Sequence, residues 1–249
     1  MKLLSDCRVV VTGAASGIGA AISLAFAKEG ASLVLSDLDK EKLQKQEISC
    51  KQYTNKVVSV CADIGTEAGA NATIDQCLES FGGIDVLVNN AGILTQAPFM
   101  EITKNMWDEM LRIDLTSIFL TCQRALPYML EQKWGRIINI SSQLGIKGGV
   151  ELVHYSAAKA AVIGFTKSLA QEVAKENILV NVIAPGPIFT SLVDGISDEW
   201  KVEKSKELPL GRFGTPEEIA PTAILLASEP GGNLFVGQTL GPNSGDVMP

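Results

Sequence analysis

Val9-Val10-Val11-Thr12-Gly13-Ala14-Ala15-Ser16-Gly17-Ile18-Gly19 is the stretch that decides the fold. An uninterrupted apolar run with no polar alternation reads as a strand buried on both faces, here Val9 to Thr12. The glycines that follow break it into a turn, and Ala20-Ala21-Ile22-Ser23-Leu24-Ala25 is small and helix-compatible. A strand, a glycine turn and a helix N-terminus in that order let backbone approach a pyrophosphate, with free N–H groups and the positive dipole end aimed at it. Such a turn also occurs as a plain tight connection without ligand, so the rest of the chain must decide between the two.

Outward from this stretch, short apolar runs recur at Ser32 to Ser36, Val57 to Ala62, Val86 to Asn89, Arg136 to Ser141, Leu179 to Ile183 and, more weakly, Gly237 to Leu240. Longer helix-compatible segments lie between them. That alternation predicts an α/β protein, a doubly wound parallel sheet of about seven strands with helices on both faces. Thr215-Pro216-Glu217-Glu218 reads as a helix start, with Thr as cap and Pro at the first helical position, although Pro221 then falls inside the helix. There is no internal repeat or linker-like run, so residues 1 to 249 are expected to form one domain. Residues 187 to 209, the least regular segment, are expected to form a lid over a site.

Bulk properties narrow the partners. The 249 residues are 46% hydrophobic, enough for one large core, and carry a formal charge of -7. An acidic surface disfavours nucleic acid and anionic membrane and leaves a small molecule as the expected partner. Ser5, Asp6 and Arg8 interrupt the place where a secretory signal needs an apolar run, so the reading is a soluble, cytoplasmic protein. The five cysteines are scattered with no C-x-x-C pair, and His154 is the single histidine. Reduced thiols are expected, and no metal site.

Asp37 follows the second apolar run, 18 residues beyond Gly19. An acidic side chain there accepts the adenosine-ribose hydroxyls and repels a 2′-phosphate, which favours NAD (NADH) over NADP. Neither Ser16 nor Leu38 supplies the cation a 2′-phosphate needs. A solvated turn carboxylate is the alternative reading of Asp37. Asp63-Ile64 and Asn89-Asn90-Ala91-Gly92 end the third and fourth runs, at the carboxyl edge where a parallel sheet opens its crevice.

Tyr155-Ser156-Ala157-Ala158-Lys159 begins a helix, and a spacing of four places phenol and ammonium on one face. A fixed cation stabilises phenolate and is expected to lower the Tyr155 pKa, making it an acid/base. The pattern Tyr-x-x-x-Lys is common by chance; position strengthens it, because Ser141-Ser142 ends the fifth run with Ser142 13 residues before Tyr155. Either serine could hold a substrate oxygen or cap a turn.

With the glycine turn, Asn89-Asn90-Ala91-Gly92, Ser142, Tyr155 and Lys159 together, the chain resembles the short-chain dehydrogenase/reductase family from Val9 to about Leu240, particularly the branch of 3-oxoacyl-carrier-protein reductases and bacterial secondary-alcohol dehydrogenases. The resemblance implies a Rossmann fold and a homotetramer. It selects Ser142 over Ser141 for the substrate oxygen, and implies Tyr155 as proton donor or acceptor and Lys159 on the nicotinamide ribose. It makes Gly13, Ser16, Gly17, Ile18, Gly19, Asp37, Asp63, Ile64, Asn90, Ala91 and Gly92 the cofactor side. It also implies that Pro185-Gly186-Pro187-Ile188-Phe189-Thr190 grips the carboxamide and phosphate region through Ile188 and Thr190. Two positions depart from the family. Asp114 stands where a catalytic asparagine is usual, which keeps a water relay through its backbone carbonyl but alters local charge. The tail Gly241-Pro242-Asn243-Ser244-Gly245-Asp246 replaces the usual Asp-Gly-Gly turn at a subunit contact.

The expected substrate wall is Leu94, Gln143, Leu144, Val150, Leu152, Ile196 and Trp200, mostly apolar. It fits a small neutral secondary alcohol and its ketone, interconverted by hydride transfer with Tyr155 as general acid/base. His154 reads as packing and Lys147 as a solvated loop residue. Two rival functions follow: an NADPH-using 3-oxoacyl reductase, against which Asp37 counts, and a non-catalytic NAD(H)-sensing protein, against which the intact Ser142, Tyr155 and Lys159 count.

Overall fold

The computed structural model describes residues 2–190 and 197–248. The opening stretch forms β1 (Arg8–Thr12) and α1 (Gly17–Lys28), followed by β2 (Ser32–Asp37), α2 (Lys40–Lys51), β3 (Val57–Cys61), α3 (Glu67–Phe81) and β4 (Val86–Asn89). The second half runs α4 (Lys104–Leu111), α5 (Ser117–Gln132), β5 (Gly135–Ile140), α6 (Leu144–Lys147), α7 (Val153–Val173), β6 (Ile178–Ile183), α8 (Asp198–Glu207), α9 (Pro216–Ala227) and β7 (Thr239–Leu240). Every expected strand is present, with ends shifted by a residue or two; β3 stops at Cys61 and β5 at Ile140, which leaves Ser141 and Ser142 just past the strand.

The strands form one seven-stranded sheet, ordered β3-β2-β1-β4-β5-β6-β7, with all pairings parallel. Alternate strand residues point to opposite faces. Val9 and Val11 therefore pack with Phe26, Leu33, Leu35 and Leu226 beneath α1 and α9, while Val10 joins Val34, Ile74, Leu87, Ile118 and Val162 beneath α3, α5 and α7. Burial on both faces is why these strands read as continuous apolar runs. The chain reverses its direction of strand addition between β1 and β4, so the crevice opens there, at the carboxyl ends.

Local signals fix the helix starts. Thr66, Thr103 and Ser197 each accept a hydrogen bond from the backbone N–H three residues on, at 3.1, 3.2 and 3.2 Å. At α9 Pro216 is the first helical residue and Glu218 accepts from the Thr215 N–H at 3.0 Å; Pro221 sits inside the helix. Between α4 and α5 the backbone widens into a π turn over Arg112–Thr116, where the family resemblance implies a helix kink shaped by residue 114. Among the described residues no helix is long and apolar enough to cross a membrane.

Candidate active site

The glycine turn is built for close approach. Gly13 has φ +62°, and a methyl group there would lie 2.7 Å from the Ala91 Cα. Asn90 explains the tightness: its amide donates to the carbonyls of Thr12 and Gly13, both at 3.0 Å, while the Thr12 hydroxyl accepts from the Asn90 and Ala91 N–H groups. The Asn90 side chain, expected at the cofactor, is thus spent on lacing β4 to the glycine turn. Gly19 does not line the crevice; a methyl there would collide with the Gly13 carbonyl oxygen, so it lets α1 seat under the turn. The Ser16 hydroxyl makes no capping bond, and Thr190 lies over Gly17, 3.3 Å from where a methyl would stand.

Asp37 ends β2 with its carboxylate accepting from the Ala15 N–H and the Asp39 N–H, both at 3.0 Å. It is therefore a fixed anion beside the turn, and a side pocket of about 120 Å³ lined by Asp37, Asp63, Ile64 and Ala91 adjoins it. Asp63 is paired on both oxygens with Arg112, at 3.0 and 2.9 Å, and Glu109 holds the other side of the same guanidinium. Arg112, absent from the sequence-derived site, is found only by proximity, 49 residues from its partner.

A cleft of about 1090 Å³ runs from Gly13 and Asp37 past Asp114, Ser142, Tyr155 and Lys159 to Trp200. It brings together all the expected site residues except Gly19, the Asp63 and Ile64 side pocket, and Ile196, which lies outside the described residues. Pro185, Gly186 and Ile188 line the cleft between the two halves, and Leu94, Gln143, Leu144, Val150 and Leu152 its outer wall. The glycine turn, the anion at Asp37 and the length of the cleft fit an adenine dinucleotide, with the expected residues distributed along it.

The chemistry sits midway. The Ser141 hydroxyl donates to the Lys159 carbonyl at 2.7 Å, so it faces into the protein, while the Ser142 hydroxyl accepts from the Leu144 N–H at 3.1 Å and lines the cleft with Tyr155. This separates the two serines that the sequence left open. The Lys159 ammonium lies 5.6 Å from the Tyr155 ring centre and donates to the Ile140 carbonyl at 3.2 Å. Asp114, fully buried on the π turn, accepts from the Ile93 N–H at 2.8 Å and brings its other oxygen within 3.0 Å of the Lys159 ammonium, off the hydrogen-bonding angle.

The expected lowering of Tyr155 is overturned in this arrangement. Burial raises the phenol and the nearby Asp114 raises it further; Lys159 and the Ser142 hydroxyl lower it, and the net result lies above the ordinary value. Burial pulls Lys159 down, but Asp114 and Tyr155 outweigh it and hold the ammonium charged. Burial is the main reason the phenol lies high, and the carboxylate at 114 adds to it by cancelling in part the field that Lys159 projects onto the phenol. His154 is packing, as expected, with Nε2 at 2.7 Å from the Thr95 hydroxyl. Lys147 is exposed, as expected, and in addition pairs at 2.6 Å with Asp246 of the tail, in the cleft wall.

Residues 8–201 match the family model described as short chain dehydrogenase. The chain is 41% identical to the 3-oxoacyl-(acyl-carrier-protein) reductase of Aquifex aeolicus, covering 88% of this chain and 89% of that one. It is 37% identical to the enzyme of the same name from Thermotoga maritima, covering 96% and 97%. Similarity also extends, at 36% identity over 93% and 92% of the two chains, to a hydroxy(phenyl)methylsuccinyl-CoA dehydrogenase subunit of Thauera aromatica. A crystal structure of levodione reductase superposes with a TM-score of 0.93 at 32% identity, covering 97% of this chain and 98% of that one. Sequence, sheet order and the architecture of the cleft agree that this chain belongs to the short-chain dehydrogenase/reductase family, whose members are nicotinamide-dependent oxidoreductases acting on small molecules.

Proposed function

We propose that the protein reduces the 3-oxo group of an acyl thioester to the 3-hydroxy product, with NADH as hydride source. The observation that carries the reading is the convergence of Ser142, Tyr155 and Lys159 on the same cleft that holds the glycine turn and Asp37. Bound nicotinamide supplies the hydride to the carbonyl carbon. Ser142 holds the carbonyl oxygen, Tyr155 delivers its proton to that oxygen, and Lys159 steadies the phenolate left behind. The relatives named 3-oxoacyl-(acyl-carrier-protein) reductase favour this substrate class over the small secondary alcohol expected from the sequence. The residues carried as site residues keep the roles given above, and residues 187–209, of which 191–196 lie outside the described residues, act as the lid of a single catalytic domain.

Asp37 supports NADH. A 2′-phosphate placed at a carboxylate already fixed by two backbone N–H groups meets a like charge, and Leu38 beside it, largely exposed, brings no cation. A second reading, the reduction of a small neutral ketone, is favoured by the likeness to levodione reductase. The test follows cofactor absorbance with acetoacetyl-CoA, ethyl acetoacetate and a cyclic diketone, each with NADH and with NADPH. Highest kcat/KM for the thioester with NADH is expected. Tyr155→Phe should lose turnover on the order of a thousandfold or more while NADH still binds, since a positioned proton donor contributes roughly 10²–10⁴-fold. NADH binding by the wild-type protein without turnover of any carbonyl would defeat the catalytic reading. The expected homotetramer is checked by light scattering against the 26.5 kDa chain mass.

A further inference from the structure

The tail replaces the usual turn with Asn243-Ser244-Gly245-Asp246, and the chain bends there so that the Asp246 side chain enters the cleft wall. Ser244 at φ +57° and Gly245 at φ +83° make the bend, and Asn243 secures it by accepting from the Gly245 N–H at 3.0 Å. The delivered carboxylate is nearly buried, with 9% of its side chain exposed. One oxygen accepts from the Gln143 amide at 2.5 Å and from the Lys147 ammonium at 2.6 Å; the other accepts from Lys204 at 3.1 Å. Gln143 and Lys147 belong to the segment just after Ser142, whereas Lys204 stands on α8, across the cleft. Removing the carboxylate would leave Lys147 and Lys204 facing the cleft with Glu207, 2.9 Å from Lys204, as the remaining ion-pair partner of either among the described residues.

We propose that Asp246 is a specificity-determining residue: it latches α8 onto the wall beside Ser142 and, together with Glu207, balances the charges of Lys147 and Lys204, so that the cleft accepts uncharged groups next to the reacting ketone and rejects anionic ones. This rests on the reduction reading above for its substrate arm. A carboxylate on the substrate would meet Asp246 itself, already satisfied by three donors, and gain no free cation. An uncharged ester or thioester meets no such penalty. Two lysines held in place by one acceptor also make α8 depend on that acceptor for its position, because the helix buries none of its own residues fully and its first turn packs by Trp200 against Phe213, ring centres 6.4 Å apart.

The experiment compares wild-type protein with Asp246→Asn, and with Asp246→Asn combined with Lys147→Gln. Two β-keto compounds, the uncharged ethyl acetoacetate and the anionic acetoacetate, are assayed with NADH, each variant being compared with wild type on the same pair. Hydrogen exchange of the α8 amides is measured on the same samples. Asp246→Asn should shift the ratio of kcat/KM values towards acetoacetate by on the order of tenfold, the scale of a single lost like-charge repulsion. The shift should shrink with added salt, and Lys147→Gln should return it towards wild type. The α8 amides should exchange several-fold faster in Asp246→Asn. An unaltered ratio overturns the specificity role, and unaltered exchange overturns the latch. If the wild-type protein reduces neither ketone, that failure falls on the reduction reading, and exchange alone then decides whether Asp246 holds α8.

Discussion

At the scale of single residues the most informative position is Asp114. Its carboxylate raises both Tyr155 and Lys159, and an asparagine there would keep the Ile93 hydrogen bond through its carbonyl oxygen while removing the charge. The sign of the effect follows directly. With the anion gone, burial alone opposes Lys159 at the phenol, so Tyr155 ionises at lower pH than in the wild type. Oxidation of the 3-hydroxy product needs ionised Tyr155, and the acid limb of kcat/KM in that direction should therefore move to lower pH in Asp114→Asn. A full pH profile of both proteins measures this. A limb that stays in place or moves upward would show that the carboxylate does not act on the phenol. The same residue shows why part of the site was legible and part was not. Ser142, Tyr155 and Lys159 lie within one stretch of chain, so spacing alone could group them. The contact between Asp114 and Lys159 joins positions 45 apart and appears only when the chain is folded.

At the scale of elements the strands were readable because burial on both faces leaves an unbroken apolar run, and pairing only moves their ends by a residue or two. The helix starts at Thr215 and Pro216 were readable because capping is chemistry between near neighbours. The π turn at Arg112–Thr116 left no such mark in its own composition, and only the family resemblance at Asp114 implies a helix kink there. Its residues keep ordinary helical composition, and the widened backbone is fixed by what surrounds it: Arg112 held by Asp63, Asp114 drawn to the Ile93 N–H, and the Ser117 hydroxyl donating to the Ile113 carbonyl at 2.5 Å. A π turn is one residue inserted in an α-helix. Deleting Leu115 should close it into regular helix and carry Asp114 around the axis, away from Lys159. Helical content by circular dichroism should persist, while kcat falls by on the order of a hundredfold, the scale expected when a supporting group shifts by about 1 Å. Retention of full kcat in that deletion would show that the turn is incidental to the chemistry.

At the scale of the whole molecule the sheet separates function from stability along its strand direction. Asp37, Ser142 and the glycine turn gather at the carboxyl edge, as the switch between β1 and β4 requires. The amino edge is closed by arginines. Arg8 pairs with Asp85 at 2.6 Å. Arg136, fully buried at the start of β5, donates to the carbonyls of Gly135 and Asn177, to Glu229 and to Asn233 at 2.9 to 3.1 Å, and stacks 4.3 Å from the Trp134 ring centre. These four acceptors come from three separate segments, so the guanidinium joins β5 to the loops that precede β6 and β7. Burial pulls its pKa down while Glu229 opposes the change. A strand rises roughly 3.3 Å per residue, which sets Arg136 about 20 Å from Ser142 along β5. Arg136→Ala should therefore lower the urea midpoint by an amount equivalent to about 2–4 kcal/mol, since it removes four hydrogen bonds made by a buried guanidinium and opens a cavity. Because the carboxyl edge is held by its own contacts, kcat of the folded fraction should stay within about twofold of wild type, the ordinary outcome for sites too distant to share partners. A loss of kcat that matched the loss of stability would mean that the two edges of the sheet are coupled through β5 after all.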